Sequence, residues 1–184
     1  MKRLFSVGAV LVAALLVVSC STVSDSRFQT AEVLASMQER PQDFRVFVNA
    51  PSHIDFESGD IAMKYLTKSK GWKLRTLDAP LDRIAISKAG GRQRVTFALR
   101  PDDARRFEAQ QALIRARVEK GLRTAAFYNV VLNPGCAFIE SLDPARKQKI
   151  AVEFRISPDV APMPVLDLKF TGRGVPRGTK LACR

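Results

Sequence analysis

The strongest constraint on the fold is a change in hydrophobic period after residue 100. Before this point, "DRIAISKAGGRQRVTFALR" (residues 82–100) alternates apolar and polar residues on both sides of Gly90 and Gly91. Paired glycines accept the positive φ angles of a tight turn, so this segment predicts an antiparallel hairpin. In the next segment Asp102 is placed to cap a helix, and apolar residues recur at the helical period on one face: Phe107, Ile114, Val118 and Leu122. We therefore expect a long amphipathic helix packed on the sheet.

Other segments are typical of strands by composition or alternation, and these are residues 44–50, 60–67, 125–133, 149–157 and 164–170. Residues 60–67 would also suit a short helix, and we favour a strand. A short helix is predicted over residues 30–39, because Thr30 can cap it and Pro41 lies just past its end. Together these patterns predict an α+β fold, with a mainly antiparallel sheet of five to six strands and one long amphipathic helix on one face.

The amino terminus is typical of a targeting segment. Lys2 and Arg3 precede an uncharged apolar stretch over residues 4–18, which is shorter than the roughly twenty residues that a membrane-spanning helix needs. The stretch ends in "VVSC", with Ser19 directly before Cys20. This ending resembles the lipobox of bacterial lipoprotein signal peptides. The alternatives are an ordinary signal peptide or an anchor helix whose cysteine is incidental.

The lipobox resemblance implies a removed signal peptide at residues 1–19, a lipidated flexible tether at residues 20–27 and a single periplasmic α+β domain at residues 28–184. It also implies that Cys20 carries diacylglycerol on its sulfur, usually with a further acyl chain such as palmitate on the new amino terminus. Two or three acyl chains anchor a protein almost permanently, since each buried methylene contributes about 0.8 kcal/mol. Cys20 is followed by serine, and not by the aspartate that commonly retains such lipoproteins in the inner membrane. The resemblance therefore implies the outer membrane.

The chain is strongly basic, with 30 Lys and Arg against 18 Asp and Glu and a net charge of +12. Removal of Lys2 and Arg3 with the signal peptide lowers the net charge by two, to about +10. A basic surface in the periplasm attracts anions such as lipid headgroups, lipopolysaccharide phosphates, peptidoglycan carboxylates or an acidic protein. Nucleic acid is not an expected partner in that compartment. Alternatively, the charge serves solubility alone.

Two cysteines remain once Cys20 is lipidated. Cys136 and Cys183 form an even pair in a compartment that oxidises thiols, so we predict one disulfide between them. Closing a loop of nearly fifty residues contributes roughly 4 kcal/mol by the chain-entropy estimate. The alternative is a nucleophilic Cys136 in "NPGCAF", which would leave Cys183 as an unpaired thiol.

No catalytic, cofactor-binding or metal-binding residue is predicted. The single histidine, His53, lies beside Ser52 and Asp55, but neighbours on a strand or turn point in divergent directions and do not build a catalytic triad. One imidazole and a disulfide do not supply a four-coordinate metal site. No carboxylate pair stands out among the acidic residues of the domain, which include Asp82, Asp102, Asp103, Glu153 and Asp167.

The carboxyl-terminal segment "GRGVPRGTK" (residues 172–180) superficially resembles a phosphate-binding Walker loop. It lacks the required order, because a Walker loop has lysine before serine or threonine, whereas here Thr179 precedes Lys180. We interpret Arg173, Arg177 and Lys180 as a candidate anion-binding patch, held in place by Cys183. The alternative is a basic terminal loop without a ligand.

These features favour a lipid-anchored lipoprotein of the cell envelope that acts as a non-enzymatic binding, structural or assembly module in the periplasm. Its partners would be the membrane, through the lipid, and an envelope protein complex or an anionic envelope polymer. The alternative function is a lipid-anchored periplasmic hydrolase or cell-wall enzyme whose carboxylates converge only in the folded chain.

Overall fold

A computed structural model gives the fold, and it describes residues 30–34, 38–133, 135–142 and 146–170. For residues 30–34, 136, 139, 140 and 170 the description covers the backbone alone. The strands are β1 (Thr30–Leu34), β2 (Arg45–Pro51), β3 (Ile61–Ser69), β4 (Arg75–Pro80), β5 (Asp82–Ala89), β6 (Arg92–Ala98), β7 (Thr124–Leu132), β8 (Gln148–Arg155) and β9 (Met163–Phe170). The helices are α1 (Pro101–Glu119) and α2 (Cys136–Ser141), with one turn of 3-10 helix at Pro41–Asp43.

The strands form two antiparallel sheets. One sheet has four strands in the order β1-β7-β3-β4, and the other has five in the order β5-β6-β2-β8-β9. The predicted α+β class, the antiparallel pairing and the long helix are confirmed. The structure adds a second sheet to the single predicted sheet, since alternation shows which face of a strand is buried but not which strands are neighbours. A single residue, Leu81, connects the edge strand β4 of one sheet to the edge strand β5 of the other.

The hairpin around Gly90 and Gly91 is confirmed as β5 and β6, and both glycines have positive φ angles, of 55° and 73°. Val95 and Phe97 on β6 are fully buried. By contrast, Ile86 on the edge strand β5 is exposed, although it lies opposite the buried Val95.

The predicted helix over residues 30–39 is wrong, because residues 30–34 form strand β1. This strand pairs antiparallel with β7, from Thr30 opposite Val131 to Leu34 opposite Phe127. Short helices are marginal in water, whereas pairing with β7 satisfies the backbone N–H and C=O groups that face that strand. The strand predicted at residues 60–67 is confirmed as β3, while β4 and α2 were not anticipated.

Helix α1 begins two residues earlier than the Asp102 cap predicts. Arg100 occupies the N-cap position without a side-chain capping bond, and Pro101 begins the helix. Proline suits this first position because its missing N–H would have no partner within the helix. The buried stripe includes Phe107 and Ile114 but ends before Val118, which is 47% exposed. The last turn of the helix therefore leaves the core.

The core is organised around the ring of Tyr128. Its centroid lies 4.8 Å from that of Tyr65, 5.1 Å from Phe44, 6.0 Å from Phe154 and 6.4 Å from Phe107. These rings come from both sheets, from α1 and from the segment before β2, and all are buried. Aromatic pairs at such distances contribute about 0.5–1.5 kcal/mol each beyond their buried area. The cluster therefore joins the two sheets and the helix into one core.

Polar contacts fix α1 to the outer end of β3. Gln110 Nε2 donates to Thr67 Oγ1 at 2.8 Å, and one turn further Ile114 is buried. Two turns further, Arg117 Nε donates to Ser69 Oγ at 2.7 Å. The end of α1 is thus held over the turn between β3 and β4. In the described ranges, no helix has both the length and the hydrophobicity needed to cross a membrane.

Candidate anion-binding site

Most of the predicted site residues lie outside the described part of the chain, and these are Cys20, Arg173, Arg177, Lys180 and Cys183. Cys136 is the first residue of α2, where the backbone alone is described. The lipidation, the disulfide and the carboxyl-terminal patch therefore stay predictions.

The loop that contains the single histidine does not form a catalytic triad. His53 and Asp55 are exposed between β2 and β3. The Asp55 N–H donates to Ser141 Oγ at 2.9 Å, and the Ser52 N–H donates to the Gly91 carbonyl at 2.9 Å. Across the described residues, no hydrogen bond joins the side chains of Ser52, His53 and Asp55. The observed contacts serve to fix the loop.

The acidic residues considered above are each engaged by a neighbouring cation. Asp82 pairs with Arg100 at 2.9 Å, Glu153 with Arg94 at 2.8 Å and Asp167 with Lys149 at 3.0 Å. On α1, Asp102 pairs with Arg105 and Asp103 with Arg106, one turn further along the helix. These carboxylates neutralise surface cations, and they do not face one another across a cleft.

Asp60 is a buried carboxylate that the sequence patterns did not single out. Its side chain accepts hydrogen bonds from the N–H groups of Glu57 at 2.8 Å and Gly135 at 2.6 Å, and its carbonyl accepts from the Asn133 N–H at 2.7 Å. Burial raises the pKa of Asp60, against the lowering effect of the two N–H donors. These bonds tie Asn133 and Gly135, which precede Cys136, to the start of β3, so we interpret Asp60 as a structural residue.

A cleft of about 850 Å³ lies at the turn between β3 and β4, lined by residues 68–72 and 123–125. The Trp72 N–H donates to the Ser69 carbonyl at 2.9 Å, and Gly71 has a φ of 79°, which suits glycine at the third position of a type II turn. The Lys70 N–H donates to the Arg123 carbonyl at 3.0 Å. The turn is therefore tied to the start of β7 and has a defined shape.

Two guanidinium groups pack on the Trp72 ring. The Arg75 Cζ atom lies 4.4 Å from the ring centroid, and the Arg117 Cζ atom lies 4.1 Å from it. Arg117 also donates to Ser69 Oγ at 2.7 Å and to the Lys70 carbonyl at 2.5 Å. Cation–π contacts of this kind contribute about 0.5–1 kcal/mol at exposed sites. The indole thus orients one arginine from β4 and one from α1.

We name the positively charged surface around this ring the Trp72 cluster, and it consists of Lys68, Lys70, Trp72, Lys73, Arg75, Arg117 and Arg123. Among the described residues, no carboxylate lies within ion-pair distance of any of these cations. Elsewhere on the described surface several cations do have acidic partners, among them Lys64, Arg94, Arg100 and Lys149. Unneutralised like charges held close together repel one another and attract anions. The cluster is therefore suited to bind an anionic ligand.

A second groove, of about 390 Å³, lies between β5 and the first half of α1. Its lining includes Ile84, Leu99, Ala104 and Arg105. Its charged lining residues, Arg45, Arg105 and Glu108, are of both signs, so it has less excess positive charge than the first cleft. In the described ranges, no three His, Cys, Asp or Glu side chains come together as metal ligands.

The chain was compared with models of protein families, with curated protein sequences and with solved protein structures, and none of them matched.

Proposed function

We propose that this protein is a lipid-anchored, non-enzymatic binding module of the bacterial cell envelope. In this proposal Cys20 carries the lipid in the outer membrane, the domain lies in the periplasm, and the Trp72 cluster binds an anionic envelope component. The lipobox-like ending at Cys20 supports the anchor. The observation that carries the binding role is the group of cations around Trp72 that have no acidic partner in the described part of the protein.

The side chains of the cluster are appropriate for recognising phosphate or carboxylate groups. A guanidinium offers a planar set of N–H donors that matches both groups, and lysine supplies a mobile point charge. Because Trp72 and Ser69 already orient Arg117, ordering that side chain on binding costs less entropy. Arg173, Arg177 and Lys180 are a second candidate contact for the same anionic component.

The lipid anchor is tested by replacing Cys20 with serine and labelling cells with a radioactive fatty acid. We expect the Cys20→Ser variant to lose the label and to accumulate as precursor, because a hydroxyl does not form the thioether. The matched control is Cys183→Ser, which removes a cysteine elsewhere and should keep the label. Equal labelling of wild type and Cys20→Ser would refute the lipoprotein proposal.

Anion binding is tested with inorganic polyphosphate as the probe and the full chain in neutral detergent. Changing Lys68, Lys70 and Lys73 to glutamine should weaken binding at least about tenfold at low salt, since the three substitutions lower the positive potential that attracts the polyanion. The matched control removes three lysines of the other sheet and its flanking loop, and these are Lys88, Lys147 and Lys169. Equal loss of binding in both triple variants would show that net charge alone is responsible.

A further inference from the structure

An exposed leucine, Leu74, lies between two cations of the Trp72 cluster in the sequence. Leu74 follows Lys73 and precedes Arg75, and its exposure of 59% is the largest among the large apolar side chains of the described residues. A solitary exposed leucine is ordinary on a protein surface. This one, however, lies two residues after Trp72 in a segment with no acidic residue from Lys68 to Leu77. An apolar side chain bordered by cations has the chemistry of a membrane-surface contact.

We propose that the tip between β3 and β4 docks onto the surface of a bilayer that contains anionic lipids. Leu74 would enter the boundary between headgroups and acyl chains, and the lysines and arginines of the Trp72 cluster would contact lipid phosphates. The inference rests on the proposed function in one respect, the assignment of the cluster as an anion-binding site. It does not depend on lipidation of Cys20.

The apolar contact distinguishes a bilayer from a soluble anionic polymer. A soluble polymer of phosphates or carboxylates would engage the cations but would leave Leu74 in water. A bilayer accepts both, because its phosphates lie directly above an apolar layer. Lysine side chains suit this boundary since their methylene stems pack on apolar surface while the ammonium groups stay hydrated. Tryptophan is likewise favoured at the headgroup level.

The tip also has a defined conformation before any contact. The Ser69–Trp72 turn bond, the bond from Lys70 to the Arg123 carbonyl and the packing of Arg117 on Trp72 fix its base. Docking therefore orders few residues. Attraction between such a cluster and a membrane is screened within about 8–10 Å at ordinary salt concentration. A tether at the amino terminus would keep the tip within this range and raise its effective concentration at the surface.

The chain itself contains a reporter for the test, because Trp72 is its single tryptophan. The full chain is reconstituted into vesicles of phosphatidylcholine alone or of phosphatidylcholine mixed with phosphatidylglycerol, so that the same amino-terminal segment holds the protein in both. Lipids brominated on the acyl chains then quench Trp72 fluorescence where the tip lies near the apolar layer. We expect a blue shift and quenching in the anionic vesicles alone, and loss of both at about 1 M salt, where the Debye length is about 3 Å.

Two substitutions separate the apolar contact from the charge. Leu74→Ser should reduce quenching severalfold, whereas Leu113→Ser, at an exposed site on α1, should leave it unchanged. The glutamine variant of Lys68, Lys70 and Lys73 should lose quenching in anionic vesicles. Far-UV circular dichroism verifies that each variant folds, which is expected because both leucines are exposed.

Identical emission and quenching in neutral and anionic vesicles would overturn the membrane inference. So would quenching in anionic vesicles that Leu74→Ser leaves unchanged, together with polyphosphate binding that shifts Trp72 emission. That second result would identify a soluble polyanion as the ligand and leave the proposed anion-binding function intact. If neither polyphosphate nor anionic vesicles bind the Trp72 cluster, both the anion-binding proposal and the membrane inference are refuted. Fatty-acid labelling tests the lipid anchor independently of either result.

Discussion

The two buried tyrosines differ in one respect that stability measurements can detect. Their rings pack with centroids 4.8 Å apart, and both residues are fully buried. The Tyr128 hydroxyl accepts a hydrogen bond from Gln111 Nε2 at 2.8 Å, whereas the Tyr65 hydroxyl has no partner among the described residues. Burial raises the pKa of Tyr65 to about 12. The Tyr65 hydroxyl has therefore left water without gaining a hydrogen bond.

We expect Tyr65→Phe to stabilise the protein and Tyr128→Phe to destabilise it. A buried hydroxyl without a partner costs about 1–3 kcal/mol, so its removal should raise the free energy of unfolding by about 1–2 kcal/mol. Tyr128→Phe removes one of the two acceptors of Gln111 Nε2, the other being the Glu39 carbonyl at 3.1 Å, which should lower the same quantity by about 1 kcal/mol. The two variants have the same change in composition, so each is the control for the other.

The assay is urea denaturation at neutral pH, followed by far-UV circular dichroism. The midpoints should move in opposite directions with little change in the m-value, because neither substitution alters the surface exposed on unfolding. A fall in stability with Tyr65→Phe comparable to that with Tyr128→Phe would show that the Tyr65 hydroxyl is bonded in solution, and the reasoning would fail.

Three further predictions concern Gly135, the disulfide and alkaline pH. Gly135→Ala should destabilise by about 1–3 kcal/mol in urea denaturation, because the new Cβ would lie 2.7 Å from Asp60 Oδ1 and disrupt the bond there, while Asn133→Ala, at an exposed side chain, should be near neutral. Cys136 and Cys183 should both resist alkylation under denaturing, non-reducing conditions, and loss of either should cost a few kcal/mol; reaction of both would exclude the disulfide. Burial raises the pKa values of the two tyrosines, so the unfolded state ionises first and stability should fall by about 1.4 kcal/mol per tyrosine for each pH unit above about 10. Phenolate absorbance at 295 nm should then rise together with the loss of circular dichroism, and an earlier rise would show that a phenol is accessible in the folded protein.

At acidic pH the stability depends on a buried carboxylate, that of Asp60. Because burial raises the pKa of Asp60, the folded state favours the protonated form more than the unfolded state does. The contribution of this residue to stability is therefore largest at a pH below the ordinary value near 3.8 and declines as the pH rises through the raised pKa. This is opposite to the usual effect of a carboxylate in an ion pair.

Local sequence patterns predicted the elements in which apolar residues recur with one clear period, that of a strand or that of a helix. The alternation on both sides of Gly90 and Gly91 predicted the β5–β6 hairpin, and the helical recurrence of Phe107 and Ile114 predicted α1. In each case the period of buried residues depends on the backbone geometry of one segment. The same reasoning predicted the α+β class, and it failed at Thr30, where pairing with a distant strand overrode the local helix signal.

In the candidate site, too, the sequence determined some features and the tertiary structure determined others. The sequence "KSKGWKLR" by itself determined that lysines, a tryptophan and an apolar side chain are concentrated within one short segment. Only the tertiary structure decided that Arg117, 48 residues away from Ser69, bonds to that serine and packs on Trp72. It also decided that acidic partners neutralise Lys64 and Arg94 but not the Trp72 cluster. The period of apolar residues in the sequence specifies which face of an element is buried. The packing of α1 over the end of β3 specifies which charged side chains become neighbours, because that contact joins residues far apart in the chain.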